Sequence, residues 1–160
     1  SRKEENRSKF YNELVSQING NLNMRHTIRQ CINGVDAVFL AVPTPVPIID
    51  MSILGDVDYV VVIGGDSRTR QLAPEVLENR PIIVDSGEQA DSSGEFCWAR
   101  EQGTEKQLMW LRQENGIRLT VSDLLIHSNR MNQATIYLTG LAAQDLCAAA
   151  MIYEHIHNIE

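Results

Sequence analysis

The chain has 160 residues, 43 % apolar and 22 % charged, which is ordinary composition for one globular domain with one core. A formal net charge of −7, from 14 Lys and Arg against 21 Asp and Glu, disfavours nucleic acid and anionic membrane as partners. No apolar run approaches the roughly 18 residues that cross a bilayer, and the opening residues are too polar for a secretory leader, so a soluble cytoplasmic protein is expected.

From residue 3 to about 18, Phe10, Leu14, Val15 and Ile18 make one apolar stripe at helical spacing, and Asn19-Gly20 stops the predicted helix. Leu22 to His26 reads as a short strand, and Thr27 as the cap of a brief helix ending at Asn33-Gly34. Ala37-Val38-Phe39-Leu40-Ala41-Val42 is an uninterrupted apolar run of strand length, the kind that suits a parallel strand buried on both faces. Pro43, Pro45 and Pro47 end it, because proline cannot donate to a sheet ladder.

A second run, Tyr59-Val60-Val61-Val62-Ile63, closes on Gly64-Gly65-Asp66. A helix near Pro74 to Glu78 leads to a third, Ile82-Ile83-Val84, closed by Asp85-Ser86-Gly87. Strands alternating with short helices predict an α/β doubly wound parallel sheet, whose carboxyl edge is the usual ligand site. Gln89 to Gly94 and a helix-like Gln107 to Gln113 read as a less regular outer layer. From about Thr135 to Ile156, Leu138, Leu141, Ala142, Leu146, Ala149, Ile152, Tyr153 and Ile156 recur at helical spacing and predict a long C-terminal helix.

Cys31, Cys97 and Cys147 lie at no metal-ligand spacing and read as reduced, mostly buried thiols. His26, His127, His155 and His157 form no ligand pattern, so no metal site is expected. A free-standing dinucleotide-binding domain needs a first strand, a G-x-G-x-x-G turn and the helix that holds the pyrophosphate, and the sequence has no such turn. Gly64-Gly65 does not replace it, since Asp66 would repel phosphate. The opening Ser1-Arg2-Lys3, directly before a helix, reads as the end of such a domain's second strand, so the expectation is one half of a larger unit.

Asp36-Ala37-Val38-Phe39 through Pro47, Gly64-Gly65-Asp66 through Leu77, Val84-Asp85-Ser86, and Thr139-Gly140-Leu141-Ala142-Ala143-Gln144-Asp145-Leu146 occur in that order. Together they resemble the C-terminal half of the ornithine cyclodeaminase/mu-crystallin family of NAD(P)-dependent proteins, which also holds archaeal-type alanine dehydrogenases and ketimine reductases. The resemblance implies that residues 1–134 are part of a Rossmann-like NAD(P)-binding domain. It makes residues 135–160 a helix that returns to a substrate and dimerisation domain. The N-terminal part of such proteins supplies that domain, the glycine-rich turn, and the arginine and lysine that hold the amino-acid carboxylate.

The resemblance also assigns residues. Asp66 matches the catalytic aspartate of Gly-x-Asp, in proton transfer or water activation beside the nicotinamide, and Gly65 precedes it. A carboxylate at a strand's carboxyl end can have its pKa moved toward working pH; an Asx turn or helix cap is the structural reading of the same residue. Arg70 stands where the family has the lysine of Pro-Gly-Lys, here Ser67-Arg68-Thr69-Arg70, and reads as a cation for a cofactor phosphate or substrate carboxylate, or as a solvated surface arginine.

Val42-Pro43-Thr44 corresponds to the family's Thr-Pro-Ser, which borders ribose and nicotinamide, or is only a strand end and turn. Ser1, Arg2 and Lys3 fall where an NADP-preferring fold holds the 2′-phosphate. Thr139-Gly140 matches a small-residue and glycine pair near the nicotinamide, while Asp145 reads as structural. The functional expectation is the C-terminal NAD(P)-binding part of an oxidoreductase acting on amino or imino acids, with NADP favoured, a homo-oligomeric state, and weak cofactor binding and no turnover by this chain alone. The alternative is a non-catalytic truncated α/β module that self-associates or pairs with a missing N-terminal half.

Overall fold

The computed structural model describes residues 3–64, 66–127 and 131–157. Its centre is a four-stranded parallel sheet of order β1-β2-β4-β3, with β1 at Ala37–Leu40, β2 at Tyr59–Ile63, β3 at Ile82–Val84 and β4 at Ala134–Leu138. The α/β parallel sheet and a long C-terminal helix are therefore as the sequence predicts.

Val61 sets the register, pairing with Phe39 on one side and Ile136 on the other, and Ile136 pairs with Ile83. The opposite face carries Leu40, Val60, Val62, Ile82, Val84 and Tyr137, all buried. That face packs into one core with Ile32, Leu54, Leu72, Val76, Leu77, Phe96 and Ala99.

Those partners come from short helices whose starts are written locally. Helix α1 spans Glu4–Leu14, and α2, Ile28–Ile32, opens with a capping box in which Thr27 and Gln30 each satisfy the other's backbone N–H. Asp50 caps α3, Met51–Leu54, through the Ile53 N–H. Helix α4, Pro74–Asn79, starts on a proline whose missing N–H costs nothing there. Ser86 caps α5, Gly87–Ala90, and α6, Gly94–Glu101, buries Phe96 and Ala99. Helix α7 covers Val121–His127 and α8 covers Ala142–His157. No described helix is long and apolar enough to cross a membrane.

Six expectations are corrected. The long helix begins at Ala142, not Thr135, because Ala134–Leu138 is the strand between β2 and β3. Thr135, Ile136 and Tyr137 are β-branched or aromatic and alternate between two faces, and the positive φ of Gly140 (84°) separates strand from helix. Leu22–His26 is not a strand. Gln107 to Gln113 is not a helix either: after a 3-10 turn at Glu105–Gln107, the chain runs extended beside β3, with Ile82 N–H donating to Met109 O and Leu111 N–H to Ile82 O. Trp110 holds that strip by packing against Phe96, ring centroids 4.7 Å apart.

Strand β1 is not buried on both faces, since Phe39 is 69 % exposed. The thiols are free but not mostly buried: Cys31 and Cys147 are exposed and Cys97 is half-buried. Helix α1 is also shorter than its stripe predicts, and none of its residues is buried. Phe10, Val15 and Ile18 of its stripe stay exposed, and a stripe that buries so little gains too little to hold its last turn.

Candidate functional site

The parallel strands end together, so the loops after Leu40, Ile63, Val84 and Leu138 share the carboxyl edge of the sheet. Two side chains from those loops tie the edge together. Gln71, buried, accepts from the Val42 N–H at 3.2 Å through its amide oxygen and donates to Ile63 O at 3.4 Å, joining the ends of β1 and β2. Asp85 joins β3 to β4: one oxygen accepts from the N–H groups of Thr139 (2.9 Å) and Gly140 (2.8 Å), the other from the Thr139 hydroxyl (2.8 Å) and the Ser86 N–H (2.9 Å). Between them, Gly64 N–H donates to Leu138 O, closing β2 against β4.

Thr44 is buried within the turn after β1, where its hydroxyl donates to Val46 O and its carbonyl accepts from the Arg70 N–H at 2.7 Å. Val42 is left exposed beside it. Thr139 is oriented by Asp85, and no atom lies within 4 Å of where a Cβ on Gly140 would stand, so the backbone at the end of β4 is open to close approach. Ser1, Arg2 and Gly65 lie outside the described residues.

Asp66 lies three positions past Ile63, the end of β2, and its carboxylate does two things. Oδ1 accepts from the Arg68 N–H at 2.8 Å, an Asx turn. Both oxygens also face the Arg68 guanidinium side-on, with Nε at 3.1 and 3.2 Å and Nη2 at 2.6 Å from Oδ2. The hydrogen bonds and charge of Arg68 hold the Asp66 carboxyl down at about 2, the reverse of the shift toward working pH that the sequence suggested. Asp66 is therefore an ionised hydrogen-bond acceptor here and not a reservoir of protons.

Arg70 is turned away from this carboxylate. Its Nε and Nη2 reach Pro45 O at 3.4 and 3.3 Å, and its guanidinium lies 5.3 Å from the Trp98 ring centroid. Arg70 thus pins the turn after β1 to the loop after β2, and the cation beside Asp66 is Arg68.

The loop itself is held from beneath by α6. A Cβ on Gly94 would lie 1.9 Å from Thr69 O and 3.1 Å from Asp66 O, so only glycine admits the loop this closely. The neighbouring Glu95, buried, accepts from the N–H groups of Gln71 (2.6 Å) and Leu72 (3.3 Å) and from the Tyr137 hydroxyl. Burial and the Glu95 charge push the Tyr137 phenol above its ordinary range. Both oxygens of this buried carboxylate accept hydrogen bonds, which makes the cluster a rigid floor for the site.

Sequence reading gave no role to Arg68, Gln71, Asp85, Gly94 or Glu95. Asp85 carried a signal, since an aspartate just past an apolar strand is the same arrangement as Asp66. Glu95 carried none, because its value depends on a tyrosine on a strand that reads as helix.

The profile of the ornithine cyclodeaminase/mu-crystallin family matches residues 1–160. Comparison with curated protein sequences finds no match. Among solved structures, the fold is similar to that of a Thermococcus litoralis Δ1-pyrroline-2-carboxylate reductase in complex with NADH and L-proline, at TM-score 0.77 and 18 % identity, covering 95 % of this chain and 47 % of that one. A probable ornithine cyclodeaminase from Bordetella pertussis Tohama I gives 0.72 and 18 %, covering 99 % and 49 %. An archaeal alanine dehydrogenase dimer with bound NAD gives 0.71 and 22 %, covering 95 % and 46 %. At these identities the likeness is one of fold, and the chain spans about half the length of each structure.

Proposed function

The chain belongs to the ornithine cyclodeaminase/mu-crystallin family, and from that premise we propose that its sheet edge takes the nicotinamide end of NAD or NADP in an oxidoreductase acting on amino or imino acids. The observation that carries the reading is the placement of Asp66 three positions after the end of β2, on the edge that also presents Val42, Pro43 and Thr139-Gly140. The open backbone at Gly140 and the exposed turn after β1 fit the flat face of a nicotinamide ring. The pyrophosphate finds no glycine-rich turn in this sequence, so affinity rests on one end of the dinucleotide and is weak.

When bound, the dinucleotide supplies the hydride donor or acceptor for the substrate's α-carbon. The chain's own residues do the rest. Asp66, held ionised by Arg68, offers Oδ1 and Oδ2 as charged hydrogen-bond acceptors to the substrate nitrogen or to water and so orients it. Asp85 fixes Thr139-Gly140, and Gln71 fixes Val42, so both walls of the ring site are set before binding.

A preference for NADP over NAD rests on Ser1 and Arg2, whose hydroxyl and guanidinium suit a 2′-phosphate. Calorimetric titration with NADH and NADPH at millimolar concentration tests both parts. Saturable heat that Asp66→Ala leaves in place, and that Arg2→Ala weakens for NADPH alone, is expected. Absence of heat for either dinucleotide defeats the proposal.

A second reading is that the chain assembles with itself. Leu146, Met151, Ile152 and Ile156 on α8 are all exposed, as are Phe39 and Ile63 on the less buried sheet face. Apolar surface of that extent favours a homo-oligomer, whether or not the edge binds a nucleotide.

A further inference from the structure

Resting on the proposed function, the geometry points to Arg68 as the residue that receives the carboxylate of an α-amino or α-imino acid whose nitrogen meets Asp66. A guanidinium offers N–H donors along more than one edge. Arg68 spends the Nε and Nη2 edge on Asp66, at 3.1 and 2.6 Å. Among the described residues, the other fork, Nη1 with the second N–H of Nη2, has no partner, and the side chain is 85 % exposed. That fork matches a planar carboxylate.

The pair is complementary to a zwitterion. An α-amino acid carries its carboxylate and its amine on one carbon, so a ligand whose carboxylate sits on the free fork brings its nitrogen to the Asp66 oxygens beside it. The ligand adds no net charge to a pair that has none. Its α-carbon, the atom that gains or loses hydride, is then held between the two contacts.

The loop also holds the pair in place. Gly94 admits the Asp66–Thr69 backbone against α6, Glu95 anchors the Gln71 and Leu72 N–H groups, and Arg70 is committed to Pro45 O and Trp98. Arg70, the cation that aligns with the family's lysine, is therefore not the one that meets the substrate. Arg68 gives a grip on the carboxylate in addition to the one that the resemblance places in the N-terminal part.

The test is an amide and arginine Nε–H chemical-shift titration of the whole ¹⁵N-labelled chain with L-proline, L-prolinamide and cyclopentanecarboxylate. L-Proline is expected to shift Arg68 Nε–H and the Ser67–Thr69 amides saturably. Each analogue, lacking one end of the zwitterion, is expected to bind about tenfold more weakly. Arg68→Lys keeps a point charge without the fork and is expected to weaken L-proline by about tenfold, and Arg68→Ala to abolish its shifts.

Equal binding of L-prolinamide and L-proline, unchanged binding to Arg68→Ala, or no saturable shift with L-proline overturns the assignment. NADH added to the same samples separates this from the proposed function. Shifts at Val42–Thr44 and Thr139–Gly140 that persist when L-proline fails leave the nucleotide site standing, and their absence removes the nucleotide site instead.

Discussion

At the scale of single residues, the chemistry turns on the pairing of Asp66 with Arg68. The carboxylate is 42 % exposed, so the pair contributes little to folding, but it sets the protonation state of the group proposed to face substrate. Removing the guanidinium removes the largest cause of the depressed value, the side-chain hydrogen bond, together with the smaller effect of its charge, and leaves the Arg68 backbone N–H bond in place. Arg68→Ala is therefore expected to move the Asp66 midpoint up from about 2 toward the ordinary 3.8, read by carboxyl ¹³C shift against pH. The sign for stability follows from linkage: a depressed carboxyl stabilises the fold above the unfolded value of 3.8 and loses that contribution as pH falls toward about 2. An unchanged midpoint in the variant would mean that Arg68 does not hold the carboxylate in solution.

Asp66 was legible in the sequence because an acidic residue follows an apolar strand and two glycines. Its ionisation was not, because that depends on a rotamer of a residue two positions on. Arg70 shows the converse. Its alignment with a family lysine suggested an anion contact, whereas Trp98 and Pro45 O, each more than 20 residues away along the chain, hold it elsewhere.

At the scale of elements, α6 supports the site and was the part least visible beforehand. Its sequence, GEFCWARE, follows a serine-rich turn and has a weak apolar stripe, and only its first residue falls in the Gln89 to Gly94 stretch that reads as outer layer. Its role comes from Gly94 and Glu95, whose partners Thr69, Gln71 and Tyr137 belong to other elements. Gly94→Ala is expected to cost about 2 kcal/mol in denaturant unfolding, because backbone rather than a flexible side chain blocks the new methyl. The same variant is expected to shift the Asp66–Thr69 amides while leaving those of β1 unmoved. A variant as stable as the parent, with an undisturbed loop, would refute the close approach.

Strand β4 is the other element that sequence patterns misplaced. Its five residues run straight into the helical spacing of α8, and Leu138 fits either period. Only pairing with β2 and β3 on both sides distinguishes a buried central strand from the first turns of a helix. The strands β1, β2 and β3 were readable because prolines or glycines stop each apolar run sharply.

For the whole molecule, the two sheet faces differ. One is filled by α2 to α6, and the other exposes Phe39 and Ile63, with α8 presenting Leu146, Met151, Ile152 and Ile156 to solvent. Sedimentation velocity is expected to show concentration-dependent association, and Met151→Glu with Ile152→Glu is expected to shift the chain toward monomer. Monomer at all concentrations in the parent would contradict self-association and leave the edge site untouched. The exposure of α8 could not be read from periodicity, because an apolar stripe records what a helix can bury and not what covers it.

The claim on which the rest depends is that the carboxyl edge binds a nicotinamide dinucleotide. The direct measurement is an amide chemical-shift map of the chain titrated with NADH. Saturable shifts confined to Val42–Thr44, Gly64, Asp66 and Thr139–Gly140 are the predicted result. No saturable shift, or shifts that fall on α1 to α3 with the edge unmoved, would contradict it.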